Sequence, residues 1–336
     1  MSAIPLRIGV LGAARITPMA LLRPALQVPE AVVTAVAARD TERARAFATK
    51  HGIGRVHSSY EALLADREID AVYNPLPNSL HCEWSIRALQ AGKHVLCEKP
   101  IAANAAEAER MAAVARQTGR VLVEAFHWRY HPLAARMKEI IAAGELGTVQ
   151  HIEAHLCIPL LRRGDIRFRL DLAGGATMDV GCYAISIVRH LADAEPEVLQ
   201  ARARLSSPGV DRAMEADFRF PDGRTARITC SLLSAVLLRA SARVRGDRGT
   251  LSVLNPIGPQ IYHRLTVRTP GRTYSERLRG DASYTYQLRA FVAAVRDGTP
   301  VPTGPEDAIA NMRVIDAVYT KAGLPLRGSP AECPTT

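Results

Sequence analysis

Along the first 125 residues, apolar positions fall in short β-branched runs separated by stretches of helical spacing. The runs Leu6–Leu11, Val32–Ala38, Ala71–Leu76, His94–Cys97 and Val121–Phe126 predict strands. Helices are predicted between and around them at 17–28, 41–51, 59–66, 78–91 and 104–118, with Asn78 as an N-cap and Gly92 and Gly119 as stops. Strands that alternate with helices pair in parallel, because each return needs a crossover, so this part reads as a doubly wound parallel sheet.

The rhythm changes near Tyr130. After a helix at Pro132–Ala143, strands dominate at Val149–Leu156, Val198–Leu205, Met214–Phe220, Thr225–Leu232, Ala240–Arg245, Thr250–Val253 and Leu265–Arg268. Pro221-Asp222-Gly223 reads as a hairpin turn, since Gly supplies a positive φ. Leu265 and Val267 alternate with Arg264, Thr266 and Arg268, the pattern of a sheet with one buried and one open face. Helices are predicted at Gly175–Leu191, Tyr284–Arg296 and Pro305–Lys321. The expectation is therefore an α/β domain over 1–125, an α+β domain with a largely antiparallel open-faced sheet over 126–326, and a frayed tail over 327–336.

Charge narrows the classes of function. The chain carries 43 Lys and Arg against 33 Asp and Glu, a net charge of +10. A strongly basic chain raises the question of nucleic acid, but the surplus is spread over both halves without a Lys/Arg run, which argues against that partner. Only Lys50, Lys93, Lys99, Lys138 and Lys321 are lysines. The cysteines (Cys82, Cys97, Cys157, Cys182, Cys230, Cys333) show neither CxxC pairs nor zinc spacing, and read as reduced thiols of a cytoplasmic protein. No signal-type or membrane-spanning run is seen, and no His/Asp/Glu cluster has metal-ligand spacing.

Four places carry candidate chemistry. The first strand runs into Gly9-Val10-Leu11-Gly12-Ala13-Ala14-Arg15-Ile16-Thr17, where Gly12, Ala14, Arg15 and Ile16 could cradle phosphates at a helix N-terminus. Ala14 and Thr17 replace the second and third glycines of GxGxxG, which weakens the motif. The second strand ends at Ala38-Arg39-Asp40. Ala38 stands where an NAD site usually places a carboxylate, and Arg39 suits a 2′-phosphate, so NADP is favoured, with NAD as the alternative. Asp40 reads as a helix cap. Glu98 and Lys99 close the fifth strand at its carboxyl end, where open α/β sheets bind ligands. Asp179 and Tyr183 lie at i and i+4 in Gly174-Gly175-Ala176-Thr177-Met178-Asp179-Val180-Gly181-Cys182-Tyr183, and so share a helical face. A phenol beside a cation can serve as an acid or base, and Lys99 is the candidate cation. A buried tyrosine bonded to a capping aspartate is the competing reading of that pair.

The combination of GKHVLCEKP with GGATMDVGCY about 80 residues later, together with IGVLGAARI, YNPLPNSLHCEWSIRALQ and VEAFHWRYHP, resembles the Gfo/Idh/MocA family of glucose–fructose oxidoreductase and inositol dehydrogenase. The resemblance spans nearly the whole chain and is nearest to the dimeric dihydrodiol dehydrogenase and NADP-dependent D-xylose dehydrogenase branch. It implies an N-terminal Rossmann domain and a dehydrogenase acting on CH–OH groups of a sugar, cyclic polyol or trans-dihydrodiol. It implies catalytic roles for Lys99, Asp179 and Tyr183, with Tyr183 standing where inositol dehydrogenases carry His. Leu76, Pro77, Asn78 and His81 match a segment beside the cofactor. His127, Arg129 and His131 fall in a segment near the substrate. Arg162, Arg163 and Arg167 lie on a connection that could overhang it, with Arg167 able to anchor a hydroxyl or an acidic group. A homodimer or homotetramer through the C-terminal sheet is also implied, with no nucleic-acid or membrane partner. A non-catalytic NADP-binding regulator of the same fold is the alternative function.

Overall fold

The computed structural model describes residues 4–162, 164–233 and 238–328. The chain forms two compact units. Unit 1 comprises residues up to Tyr130 together with Tyr284–Ile309, and unit 2 comprises His131–Ser283 together with Ala310–Gly328.

In unit 1, β1 (Leu6–Leu11), β2 (Ala31–Ala37), β3 (Arg55–His57), β4 (Ala71–Asn74), β5 (His94–Cys97) and β6 (Leu122–Glu124) form one sheet in the order 3-2-1-4-5-6, and every pairing is parallel. This is the doubly wound order, so the order reverses beside β1 and ligand-binding turns gather at the strands' carboxyl ends. Local chemistry sets the helices. Asp40 caps Thr41–His51 by accepting from Arg43 N at 3.1 Å, and Gly52 ends it in the left-handed region at φ +68°. Asn104 caps Ala105–Thr118, and Gly119 stops it at φ +61°.

A simple cut near residue 125 does not describe the units. The helix Ser283–Asp297 places Tyr284, Leu288, Phe291 and Val292 on one face, and all four are buried in the core built by Leu6, Ile8, Val10, Tyr73 and Leu96. Thr303 then pairs with β6, its carbonyl accepting from Glu124 N at 2.9 Å and its hydroxyl donating to Glu124 O at 2.7 Å. The segment 284–309 therefore completes the first core rather than the second.

In unit 2, β7 (Val149–Cys157), β8 (Glu197–Ser207), β9 (Val210–Arg219), β10 (Thr225–Ser231), β11 (Arg239–Gly246), β12 (Thr250–Leu254), β13 (Arg264–Thr269) and β14 (Arg272–Glu276) form an eight-stranded sheet in the order 14-13-12-11-7-10-9-8. Only β7 and β10 pair in parallel. Register explains the two faces. One row across the sheet is Thr266, Ser252, Arg243, Glu153, Arg227 and Asp217, all polar and at least partly exposed. The neighbouring positions Val267, Leu251, Val244, Ile152, Ile228 and Ala216 are all buried, and the helix Cys182–Ala192 packs there against β7 and β10.

Several expectations shift. Asn78 does not cap the helix His81–Gln90; it opens a 3-10 turn, Asn78–Leu80, and Leu80 takes the cap position without a side-chain bond. The helix expected at 17–28 is a π-helical turn, Pro18–Leu22, running into Arg23–Ala25. The helix expected from Gly175 is π-helical over Thr177–Gly181 and α-helical over Cys182–Ala192. Arg327 belongs to no frayed tail: its guanidinium is buried and paired with Asp211 Oδ1 at 2.9 Å. Residues 329–336, the remainder of that tail, lie outside the described residues. Among the described residues, Cys82, Cys97, Cys157, Cys182 and Cys230 are buried thiols, no helix is long and apolar enough to cross a membrane, and no cluster of His, Cys, Asp or Glu could hold a metal ion.

Candidate active site

Each unit contributes its own set of chemical groups. In unit 1 these lie on turns at the carboxyl ends of parallel strands. Gly12 follows β1 at φ +90°, its N–H donating to Ala37 O at 2.6 Å, and a Cβ there would come within 3.0 Å of Leu76 Cδ2. Only glycine gives this turn both its conformation and its open floor. Ala13 and Ala14 follow with small side chains, Arg15 is exposed and Ile16 half-buried. The fully buried Thr17 hydroxyl beside the turn has no hydrogen-bond partner among the described residues. A small-residue turn with an unsatisfied hydroxyl, running into a helix, fits a dinucleotide's pyrophosphate.

The end of β2 supplies the charge. Ala38 is buried and Arg39 exposed, and Asp40 is committed to its cap. Arg43, which the sequence reading passed over, reaches back over the turn, its Nη2 donating to Ala13 O at 2.9 Å. Tyr60 joins the cluster by a hydrogen bond to the Arg39 backbone. Burial raises the phenol's pKa above its ordinary value, and the charges of Arg39 and Arg43 oppose that rise. Two arginines at the end of β2, with the Asp40 carboxylate taken by its cap, suit a 2′-phosphate. The i, i+4 spacing of Arg39 and Arg43 across a capped helix start was the available sequence signal.

Beyond β4, Leu76 is buried, while Pro77 and Asn78 are half-buried. His81 is fully buried, with its ring nitrogens 2.7 Å from Leu76 O and 2.8 Å from Pro100 O. It braces the β4 turn against the turn that carries Lys99. Glu98 Oε1 accepts from the buried Tyr73 hydroxyl at 2.6 Å, and Oε2 accepts from Lys99 N at 3.3 Å. The carboxylate is thus fixed in place at the carboxyl end of β5. His127 is buried, stacked on Tyr284 with centroids 3.9 Å apart. Burial, helped by the charge of Lys99, pushes its pKa down to about 3, so it faces Lys99 as a neutral ring. Arg129 pairs with Asp307 at 3.5 Å and lies over the Trp128 ring, which gives it a structural place.

In unit 2 the π-helical turn carries Asp179, and Tyr183 follows in the first turn of Cys182–Ala192, 7% exposed. Arg167 Nε forms an ion pair with Asp179 Oδ2 at 2.8 Å, and Arg167 Nη1 meets Asp165 Oδ1 at 3.1 Å. The charge of Asp179 is the largest cause of the raised Arg167 pKa. Backbone bonds clamp the same segment, with Gly174 N donating to Arg169 O at 2.9 Å and Gly175 N to Arg167 O at 2.8 Å. Arg167 is therefore joined to Asp179 by an ion pair. His131 is a buried N-cap, accepting from Leu133 N at 3.1 Å. Arg162 is exposed, and Arg163 lies outside the described residues.

Known proteins resemble the chain along most of its length. Residues 6–126 match the model of the Gfo/Idh/MocA oxidoreductase family with an NAD-binding Rossmann fold, and residues 134–252 match the C-terminal domain of that family. The chain belongs to the Gfo/Idh/MocA family. A D-xylose 1-dehydrogenase (NADP(+)) of Haloferax volcanii is 38% identical, covering 94% of this chain and 96% of that protein. A trans-1,2-dihydrobenzene-1,2-diol dehydrogenase of Xenopus tropicalis is 32% identical over 66% of each. A 3-ketoreductase from Actinomadura kijaniata, crystallised with NADP and TDP-benzene, is 33% identical with a TM-score of 0.89 and covers 96% of this chain and 98% of its own. This Gfo/Idh/MocA member thus resembles sugar oxidoreductases along nearly its entire length and the diol dehydrogenase over two thirds of it.

Proposed function

We propose that the protein is an NADP(H)-dependent oxidoreductase acting on a secondary or anomeric alcohol, or the matching carbonyl, of a sugar or cyclic polyol. The observation that carries this reading is the proton-handling pair: Tyr183 stands one turn after Asp179, whose carboxylate is ion-paired with Arg167. A sensor that only bound the dinucleotide would have no use for that pair. The xylose dehydrogenase and the ketoreductase direct the substrate class toward sugars. NADP, when bound, supplies or accepts the hydride.

The chain's own residues divide the remaining work. The Gly12 turn and Thr17 receive the pyrophosphate, Arg39 and Arg43 the 2′-phosphate, and Glu98 the nicotinamide-side ribose. The Tyr183 hydroxyl oxygen takes the alcohol's proton on oxidation and returns it on reduction. Lys99 places a positive charge against the negative charge that develops on the reacting oxygen, and Asp179 orients Tyr183. Purified protein with oxidised NADP and a panel of D-xylose, other aldoses and cyclic polyols, and with NADPH and a dTDP-linked keto sugar, tests this by absorbance at the reduced nicotinamide. Turnover of at least one sugar is expected. Tight NADP binding without turnover of any would favour the regulatory alternative.

Coenzyme choice gives a separate expectation. Removing Arg39 and Arg43 together (Arg39→Ala/Arg43→Ala) should weaken NADPH binding by about 10–100-fold, the loss of about one or two charge-assisted hydrogen bonds. NADH affinity should stay within about threefold, since NADH lacks the phosphate. Equal weakening of both coenzymes in fluorescence titrations would contradict the assignment.

We also place subunit association on the open face of the eight-stranded sheet, and the enzyme in the cytoplasm, where its buried thiols stay reduced. Arg243, Glu153, Arg227 and Asp217 alternate in sign along one row of that face. Such a row complements itself about a two-fold axis. Light scattering should give a dimer or tetramer that Arg243→Glu dissociates; a wild-type monomer would overturn this.

A further inference from the structure

The π-helical turn Thr177–Gly181 is held from outside by a buried charged network. Within the turn, Cys182 N donates to Thr177 O, five residues back. Such wide turns have poorer geometry than α-turns and persist where their surroundings over-determine them. Asp211 Oδ2 accepts from both the Thr177 N–H and the Thr177 hydroxyl, each at 2.7 Å. Asp211 Oδ1 accepts from the Tyr319 hydroxyl at 3.0 Å and from Arg327 Nη2 at 2.9 Å. Arg327 Nε donates to Gly174 O at 2.8 Å, and its guanidinium lies 4.0 Å from the Tyr319 ring centroid. The Asp211 and Arg327 side chains are both fully buried.

Arg327 therefore fixes the chain directly at residue 174 and, through Asp211, at residue 177. Asp179 follows two positions later and Tyr183 six. Buried ion pairs are weak evidence for stability, because well-packed apolar side chains of similar volume often do as well or better. They do supply direction, which apolar packing lacks: four donors converge on one carboxylate and set the rotation of the helix start.

We infer that Arg327 and Asp211 are positioning residues for proton transfer, holding the π-turn so that Asp179 and Tyr183 keep one mutual geometry. The inference rests on the reading of Tyr183 as the acid–base group. It assigns a role in catalysis to a residue near the end of the chain that touches neither substrate nor cofactor.

The test uses the full chain and the panel sugar with the highest kcat/KM. Thr177→Val removes one anchor with little change of volume, and the double variant Arg327→Met/Asp211→Asn removes the charges together, so no lone charge is left buried. Both are expected to slow single-turnover hydride transfer by about 10-fold or more, in line with the sensitivity of rates to small misplacements. NADPH dissociation constants should stay within about twofold, and hydrogen exchange of amides 175–183 should quicken. Arg327→Lys should restore part of the rate, since an ammonium keeps the charge but not the two-sided donation. A folded double variant and Thr177→Val with wild-type hydride transfer would overturn the inference, as would a loss mirrored fully in coenzyme binding. Tyr183→Phe, assayed alongside, separates the two levels. If it is fully active, the proton role itself fails; if it is inactive while the network variants match wild type, only this inference fails.

Discussion

The Tyr183→Phe enzyme is expected to bind NADPH as tightly as wild type and to transfer hydride about 10²–10⁴-fold more slowly, the usual worth of a positioned acid or base. The substitution removes one oxygen from a nearly buried ring, so packing and fold should survive. Lys99→Met is expected to cost about 10²–10³-fold, the scale for losing one preorganised group that stabilises charge developing on oxygen. These losses should not multiply in the double variant. Both groups serve the same step of the proposed reaction, so the second removal finds less left to lose. Pre-steady-state mixing of NADPH and a keto sugar with each single and double variant measures this. Independent, fully multiplicative losses would separate Lys99 from Tyr183.

Gly175→Ala should be the most damaging small substitution in unit 2. Gly175 sits at φ +139°, and a Cβ there would lie 2.2 Å from Asp211 Oδ1 and 2.7 Å from the Tyr319 hydroxyl. Those atoms cannot swing aside cheaply, because they belong to the fully bonded network that holds Thr177 and Arg327. Accommodating the methyl means either a strained backbone or a broken buried ion pair, and breaking such a pair costs about 3–5 kcal/mol. A domain's whole stability is about 5–15 kcal/mol. The expected result is a large drop in the urea midpoint with hydride transfer lost in whatever remains folded. A variant with wild-type midpoint and rate would show that the network yields easily and does not hold the turn. Alanine at Gly223, where nothing lies within 4 Å of the added carbon, serves as the control for positive φ alone.

What the sequence made legible follows from what each position had to satisfy locally. The central parallel strands are buried on both faces, so β1, β2, β4 and β5 appear as apolar runs. β3 (Arg55–His57) and β14 (Arg272–Glu276) were not legible, because they are edge strands of mostly polar residues with no buried face to set a pattern. The amphipathic face of Ser283–Asp297 showed that the helix packs on something, but periodicity does not say on which core. Its contacts with residues such as Leu6, Ile8 and Tyr73 join it to unit 1.

The site divides in the same way. Lys99 was found because lysine is scarce and one falls at a strand's carboxyl end, and Asp179 and Tyr183 because their spacing gives them a common face. Arg43 was readable from its spacing to Arg39 and was passed over. The pairing of Arg167 with Asp179 depends on a loop that doubles back onto Gly174 and Gly175, which no local pattern announces. Arg327 was the least legible of all. It sits in a stretch of Pro, Gly and Ser that reads as a tail, and the carboxylate that justifies its burial lies 116 residues away in sequence.

The most direct measurement is transfer of deuterium from 4-deuterated NADPH to the carbonyl carbon of a keto sugar by the purified enzyme, read by mass spectrometry. With both C4 hydrogens of NADPH replaced by deuterium, the account predicts one deuterium per product molecule, with the label confined to the new CH–OH carbon, and a rate that collapses in Tyr183→Phe. Products without deuterium, or a Tyr183→Phe enzyme that labels as fast as wild type, would contradict it.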